Sequence, residues 1–277
     1  MTIRTWASVQ SAQGLDVSNF QGNFSWSAAI KDYPGLHFGI HRLTQGLGQS
    51  GTNSPDPTAA WNHAQIAACG LRRGAYHFLD PFQDGAAQAR YFLAMAGRLG
   101  ITEADILVCD NETAGTSPAA TAACCDAFMT ELVAQRPANP RLVYTYIDFA
   151  KQGNCAGAGK WPLWLAYPNN TAPAAPPPWV NWTFWQWGTR GGDDADAFNG
   201  TAAQMDAWIA SFAPAPGGPY KHLTDGATSI TSYAASRNMK PVAWLAAQDK
   251  ITGTDTHSGA LCEAVPRAGL PWWSENP

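Results

Sequence analysis

Charged residues are scarce in this chain. They make up 14% of its 277 positions, the formal net charge is -4, and lysine and arginine form no runs. A chain without cationic clusters lacks the electrostatic footprint that nucleic acid or an anionic membrane demands, so neither is expected as a partner. Long apolar runs are missing too. No segment approaches the roughly 18 apolar residues of a membrane-crossing helix, and the opening MTIRTWASVQSAQG holds no apolar run of signal-peptide length. The expectation is a protein made in the cytoplasm without a visible signal peptide. The six cysteines (Cys69, Cys109, Cys124, Cys125, Cys155 and Cys262) form no CxxC and stand in no Cys/His spacing typical of zinc. Reduced, buried thiols are expected, with one pair closing across neighbouring helices as the alternative. The acidic residues have no suitably spaced His or Cys beside them, so neither a metal nor another cofactor is expected. Internal repeats are absent.

What is present is apolar and aromatic. Hydrophobic residues reach 45%, enough for a large core, and the length suits one large α/β domain plus a small one, or two medium domains. Thirteen tryptophans are many. Most such rings belong to cores, but exposed ones commonly stack on sugars, which gives weak support to a carbohydrate ligand.

The stretch Ile106-Leu-Val-Cys-Asp-Asn-Glu112 carries the plainest chemical signal. Four apolar residues read as a strand buried on both faces, and the strand ends in Asp110 and Glu112. Side chains two apart on a strand point the same way, so both carboxylates should face one space. Crowding two like charges against an apolar core keeps one of them protonated to higher pH. A raised acid beside an ionised partner is what glycosidic-bond cleavage requires. An isolated DxE is nevertheless more often a strand running out into a solvated acidic loop, so the rest of the chain must decide.

Residues 14–22, GLDVSNFQG, read as a short strand with Asp16 near its end, followed by a loop. Leu36–Arg42 and Arg73–Leu79 read as further strands. Asp56 to Cys69 has an N-cap Asp, Pro57 at the first helical position and Gly70 just past the end, which predicts a helix. Helices are also expected over Asp84–Arg98 and Pro118–Gln135, the latter capped by Ser117. Leu142–Ile147 is a fifth strand. Beyond it, strands at 164–167, 182–187 and 194–198 are separated by segments rich in Pro, Asn and Gly, and Met205–Phe212 closes the unit as a helix. Alternating strands and helices, then strands alone, predict an α/β fold: an irregular TIM-like barrel with a small α+β C-terminal module. Reactive groups of such barrels gather at the strand ends, where Asp16, Asp110, Glu112 and Asp194 all fall. That agreement favours the catalytic reading of the DxE.

Ala213-Pro-Ala-Pro-Gly-Gly-Pro219 reads as a semi-rigid connection, which divides the chain into a barrel over 1–213, a linker over 214–219 and a module over 220–277. The module offers a strand near Tyr220–Leu223 and helices over Ser229–Arg237 and Pro241–Ala247.

Six stretches, in order, resemble glycoside hydrolase family 25, the Chalaropsis-type lysozymes: GLDVSNFQG, Phe38–Gly46, Gly74–Phe78, the DxE, Leu163–Tyr167, and Trp185-Gln186 with Asp194–Gly200. The resemblance covers roughly residues 12–212. It implies a (β/α)5β3 barrel and N-acetylmuramidase activity on the β-1,4 bond between N-acetylmuramic acid and N-acetylglucosamine in peptidoglycan. It assigns Glu112 as general acid, and Asp110 as the carboxylate that positions the substrate's 2-acetamido group. Asp16 and Asp194 match two further acidic positions of the cleft. Tyr76, His77, Tyr144 and Trp185 fall at motif positions facing the groove and are expected to bind substrate, although His77 reads equally well as a buried core histidine. Gln45 and Asn111 depart from the usual pattern, and so does Asp196, which should add negative charge near the rim. Asn111 should point away from the catalytic pair.

The tail, Leu223 to Asn238, resembles a LysM domain only loosely, through its Asp-Gly-x-x-Ser entry to a first helix; a docking or oligomerisation piece is the alternative. Taken together, these readings lead to a monomeric, phage-endolysin-like or virion-associated muramidase acting on the bacterial cell wall. A structural virion or surface protein using the barrel as a glycan-binding scaffold is the competing expectation.

Overall fold

The computed structural model describes residues 11–49, 51–169 and 171–213, together with the backbone of Met239–Pro241 and Trp273–Glu275. The chain divides into two compact units, Met1–Ala213 and Pro214–Pro277.

The first unit is a closed eight-stranded barrel, as the pattern of elements predicts. Its strands are β1 (Gln13–Val17), β2 (Leu36–Gln45), β3 (Arg72–Phe78), β4 (Ile106–Asp110), β5 (Arg141–Tyr146), β6 (Leu163–Ala166), β7 (Phe184–Arg190) and β8 (Asp193–Phe198). Neighbours from β1 through β7 pair in parallel, whereas β8 runs antiparallel to both β7 and β1. Helices α1 (Trp26–Asp32), α2 (Ala59–Ala68), α3 (Gly85–Leu99) and α4 (Pro118–Gln135) make the first four crossovers. Between β5 and β6 come short turns: α5 (Ile147–Phe149), a π turn over Ala150–Asn154 and a 3-10 turn over Ala158–Lys160.

Side-chain caps set the starts of α3, α4 and the last helix. Asp84 and Ser117 accept from the backbone N–H groups of Ala87 and Ala120, and Gly100 ends α3 in the left-handed region at φ 78°. The last helix, α6 (Ala202–Ala210), begins with a reciprocal Thr201/Gln204 capping box. The helix expected from Asp56 begins at Ala59, one turn later. Asp56 still caps the turn that leads into it, Oδ1 accepting from the Thr58 N–H at 2.9 Å, while Oδ2 accepts from Arg42 Nε and the Asn19 N–H, both at 2.9 Å.

Side-chain alternation sorts the barrel into layers. Leu107, Cys109, Val143 and Leu165 point outward into the core beneath α3 and α4, and Leu15, Val17, Trp26 and Trp185 form a second outer cluster. Phe38, Ile40, Val108, Leu142, Trp164 and Phe184 fill the interior, where Met205 and Ile209 of α6 join them. Gly14 is required here: a Cβ on it would lie 2.0 Å from the Phe38 ring. This interior is an apolar floor, and whatever inward side chains stand above it are poorly solvated.

The five cysteines within the described residues are free thiols, all buried except the half-buried Cys69, and Cys109 Sγ stands 4.0 Å from Cys125 Sγ. In the second unit Met239–Pro241 pairs antiparallel with Trp273–Glu275. Pro241 is therefore a strand residue, not the first residue of a helix. The remaining elements expected in the tail, and Cys262, lie outside the described residues.

Candidate active site

Most inward positions near the C-terminal ends of β1 to β7 are polar or aromatic, and these side chains border one open cleft. Asp16, Asp110, Glu112 and Asp194 line it, with Tyr76 and Tyr144 as aromatic walls. Asp194 reaches this mouth from the opposite direction. It stands at the start of β8, and because β8 is reversed it lies directly across from Asp16 in the register.

The DxE is held by backbone bonds on both sides: Leu79 N–H donates to the Asp110 carbonyl, and Asn111 N–H donates to that of Tyr144, both at 2.9 Å. Between the two acids, Asn111 turns out of the cleft and donates from Nδ2 to the carbonyl oxygen of Asn154 at 3.3 Å. Across the cleft a relay of donors ends on Asp16. The Tyr144 hydroxyl donates to Gln186 Oε1 at 3.0 Å, and Gln186 Nε2 donates to Asp16 Oδ2 at 2.8 Å.

The carboxyls share a direction of shift. Burial, followed by the charge of Asp194, pushes Asp16 up to about 8, against hydrogen bonds from Gln186 and Asp196 that favour its ionised form. Asp110 rises well above the usual carboxylate range, first through burial and then through the charges of Glu112 and Asp16, with Arg42 opposing. Glu112 is raised by burial and by Asp194, and Asp194 by burial alone. The mutual repulsion of Asp110 and Glu112 thus falls on the deeper residue. Asp110 is 7% exposed and its Oδ1 has no hydrogen-bond partner among the described residues, whereas Glu112 is only half-buried.

Three sequence expectations fail on geometry. His77 does not face the groove. It is fully buried on the outer side of β3, stacked on Phe128 at 4.9 Å, with Nδ1 2.8 Å from Thr44 Oγ1 and Nε2 3.0 Å from Gln88 Oε1. Gln88 Oε1 also accepts from the Asp80 N–H at 2.9 Å, so it serves as acceptor for His77 Nε2–H. Burial lowers this imidazole to about 4, and it is a neutral brace for the loop after β3. Trp185 is likewise fully buried outside the sheet, and its Nε1 donates to the Tyr167 carbonyl at 2.8 Å. Both residues neighbour an inward one, Tyr76 and Gln186, and adjacent strand residues cannot share a face. Asp196, expected near the rim, is fully buried, because β8 descends into the barrel from Asp193 onward.

Among the cleft residues that the sequence leaves unassigned are Gln186, Arg42 and Phe20. Gln186 and Arg42 follow from the same alternation. Arg42 is the one Lys or Arg lining the cleft among the described residues; it is buried, paired to Asp56 at 2.9 Å, and also bonded to Asn19. Phe20, in the loop after β1, lines the cleft while 84% exposed, with the Arg42 guanidinium 5.8 Å from its ring centre. No periodic signal marks a loop aromatic, so only its place in GLDVSNFQG could have found it.

Carboxylates of raised affinity for protons, walled by aromatic rings at the mouth of a β/α barrel, define a site of the glycosidase type. The comparison with known proteins agrees. The sequence matches glycosyl hydrolases family 25 over residues 15–196, and the chain belongs to that family and is a glycoside hydrolase. It is similar to Lysozyme M1 of Streptomyces globisporus, with 30% identity over 72% of this chain and 71% of that protein. It is also similar to the N,O-diacetylmuramidase of Arthroderma benhamiae, with 31% identity over 70% of this chain and 85% of that protein. Among solved structures, the muramidase from Acremonium alcalophilum superposes with a TM-score of 0.61 at 26% identity, covering 72% of this chain and 99% of that one.

Proposed function

We propose that this glycoside hydrolase is a peptidoglycan muramidase that cuts the β-1,4 bond between N-acetylmuramic acid and N-acetylglucosamine. The observation that carries the reading is the inward pair Asp110/Glu112 at the end of β4, facing Asp16 and Asp194 across one cleft. The similarity to a lysozyme and a diacetylmuramidase supports the substrate class.

In this reading Glu112, raised and solvent-reachable, donates its proton to the glycosidic oxygen as the bond to the anomeric carbon breaks. The 2-acetamido oxygen of the muramic acid attacks that carbon from the other face, closing an oxazolinium ring. Asp110 accepts the acetamido N–H at its otherwise unpartnered Oδ1 and balances the developing positive charge. A water, deprotonated by Glu112, then reopens the ring at the anomeric carbon with net retention. The proton distribution of the free site fits this sequence. Without substrate the deeper Asp110 competes with Glu112 for protons, and an N–H donor docked at Oδ1 favours ionised Asp110 and leaves the proton with Glu112. Tyr76 and Tyr144 contact the sugar from the cleft walls. All four carboxylates come from one chain, so a monomer suffices.

Residues 214–219 are read as a linker, and 220–277 as a loosely LysM-like module that holds the wall. That layout, a wall hydrolase joined to a small module, supports an endolysin-type role at the bacterial cell wall. The test of the activity is direct: purified protein added to isolated cell walls lowers their turbidity. Binding to the walls with stable turbidity would instead identify a glycan-binding scaffold.

A further inference from the structure

Beneath the cleft carboxylates lies one more acid that the proposed chemistry does not use. Asp196 points inward two residues deeper than Asp194, level with Gly14 on β1 and Gln186 on β7. It is fully buried. Its Oδ1 accepts from Trp164 Nε1 at 2.9 Å. Its Oδ2 is buried and has no hydrogen-bond partner among the described residues. The inward acid beside it on β1 is Asp16, two residues along from Gly14, the register partner of Asp196. Two carboxylates are both acceptors, so a bond between Asp196 Oδ2 and Asp16 requires a proton on one of them. Arg42, the one cleft cation among the described residues, is engaged by Asp56 and offers Asp196 no counter-charge. An unpaired carboxylate at this depth is strongly disfavoured, and a neutral acid avoids that penalty.

We propose that Asp196 is a positioning residue for the active site: a neutral carboxylic acid whose Oδ2–H donates to Asp16 from below. The proposal rests on the muramidase reading only for its activity measurement. Gln186 then holds Asp16 from one side and Asp196 from the other, so the Asp16 carboxyl has a single orientation towards the bound glycan. Trp164 fixes Asp196 in turn. The titratable groups facing this pair are Asp194 on β8, Asp110 and Glu112 at the end of β4, and Tyr76 and Tyr144 on β3 and β5. All are acids, so no neighbouring charge favours ionising Asp196, and the Trp164 Nε1–H bond alone acts in that direction. Burial and the charge of Asp16 push Asp196 well above the usual carboxylate range, in agreement with the geometry.

The test compares two variants. Asp196→Asn keeps an oxygen for Trp164 and an N–H donor for Asp16 but cannot ionise, whereas Asp196→Ala supplies neither. On short peptidoglycan fragments, the Asn variant is expected within about threefold of wild-type kcat, and the Ala variant to fall at least tenfold in kcat with a smaller change in KM. An Asn variant as impaired as the Ala variant would overturn the proposal, because the negative charge would then be what matters; so would an Ala variant of normal kcat. An infrared difference spectrum, wild type minus Asp196→Asn at neutral pH, keeps the proposal testable whatever the activity. A protonated-carboxyl C=O band is expected, and a carboxylate band in its place would contradict it. If the wild type cleaves no peptidoglycan, the muramidase reading fails while the infrared result still decides the state of Asp196.

Discussion

Asp16 and Asp194 face each other directly across the antiparallel β1–β8 pair, two acids brought to one end of the barrel by a single reversed strand. Their opposition is the second cause, after burial, of the rise of Asp16 to about 8. This has a consequence for folding. Between the ordinary carboxylate value near 3.8 and about 8, the folded state holds a proton on Asp16 that the unfolded chain releases. Stability from this residue is therefore greatest at low pH and declines as pH rises through that window, by at most about 1.4 kcal/mol per pH unit. Asp16→Asn removes the decline. Its melting temperature relative to wild type should be clearly higher at pH 8 than at pH 5, by calorimetry; an equal difference at both values would contradict the assignment.

Asp194 also raises Glu112. Asp194→Asn removes that charge, so the proposed general acid should lose its proton at lower pH. The alkaline limb of the pH–rate profile is expected to move downward. A limb that stays in place would show that Glu112 does not report on Asp194, or is not the acid.

Phe20 is exposed on the cleft edge and supports little of the core. Phe20→Ala should leave stability within about 0.5 kcal/mol of wild type. If the ring stacks on a sugar, KM on glycan fragments should rise about tenfold with kcat nearly unchanged, the pattern of lost uniform binding. Unaltered KM would remove Phe20 from the substrate path.

Truncation after Ala213 separates the two units. Residues 1–213 are expected to keep their turnover on short soluble glycans. They should lose activity on intact walls at low enzyme concentration, because a wall-bound tail raises the barrel's effective concentration. A truncated protein that melts earlier, or loses both activities in proportion, would give the tail a structural role instead.

The barrel is legible because its strands and crossovers carry strong local signals: apolar runs, Ser117 as a cap, Gly70 as a stop. The acidic cleft was legible because Asp16 and Asp110 share an inward parity near the ends of parallel strands. Parity also shows where motif matching misled. Tyr76 and His77 are neighbours on one strand, as are Trp185 and Gln186, so only one of each pair could enter the cleft, and in both cases the wrong partner was included. Asp196 was misplaced for a different reason. Nothing local in the sequence says that β8 runs antiparallel, and strand direction alone decides whether residues after Asp194 climb towards solvent or sink into the floor. Alternation places Arg42 in the cleft, but its pairing with Asp56, from a loop fourteen residues on, has no local signal.

The central proposal is cleavage next to N-acetylmuramic acid with Glu112 as the acid. It is tested most directly by digesting defined peptidoglycan and identifying the new reducing ends by mass spectrometry, for the wild type and for Glu112→Gln. The wild type should release fragments ending in reducing N-acetylmuramic acid, and the folded Gln variant should release them about 10² to 10⁴ times more slowly. Fragments ending in N-acetylglucosamine, or a folded Gln variant of wild-type rate, would contradict it.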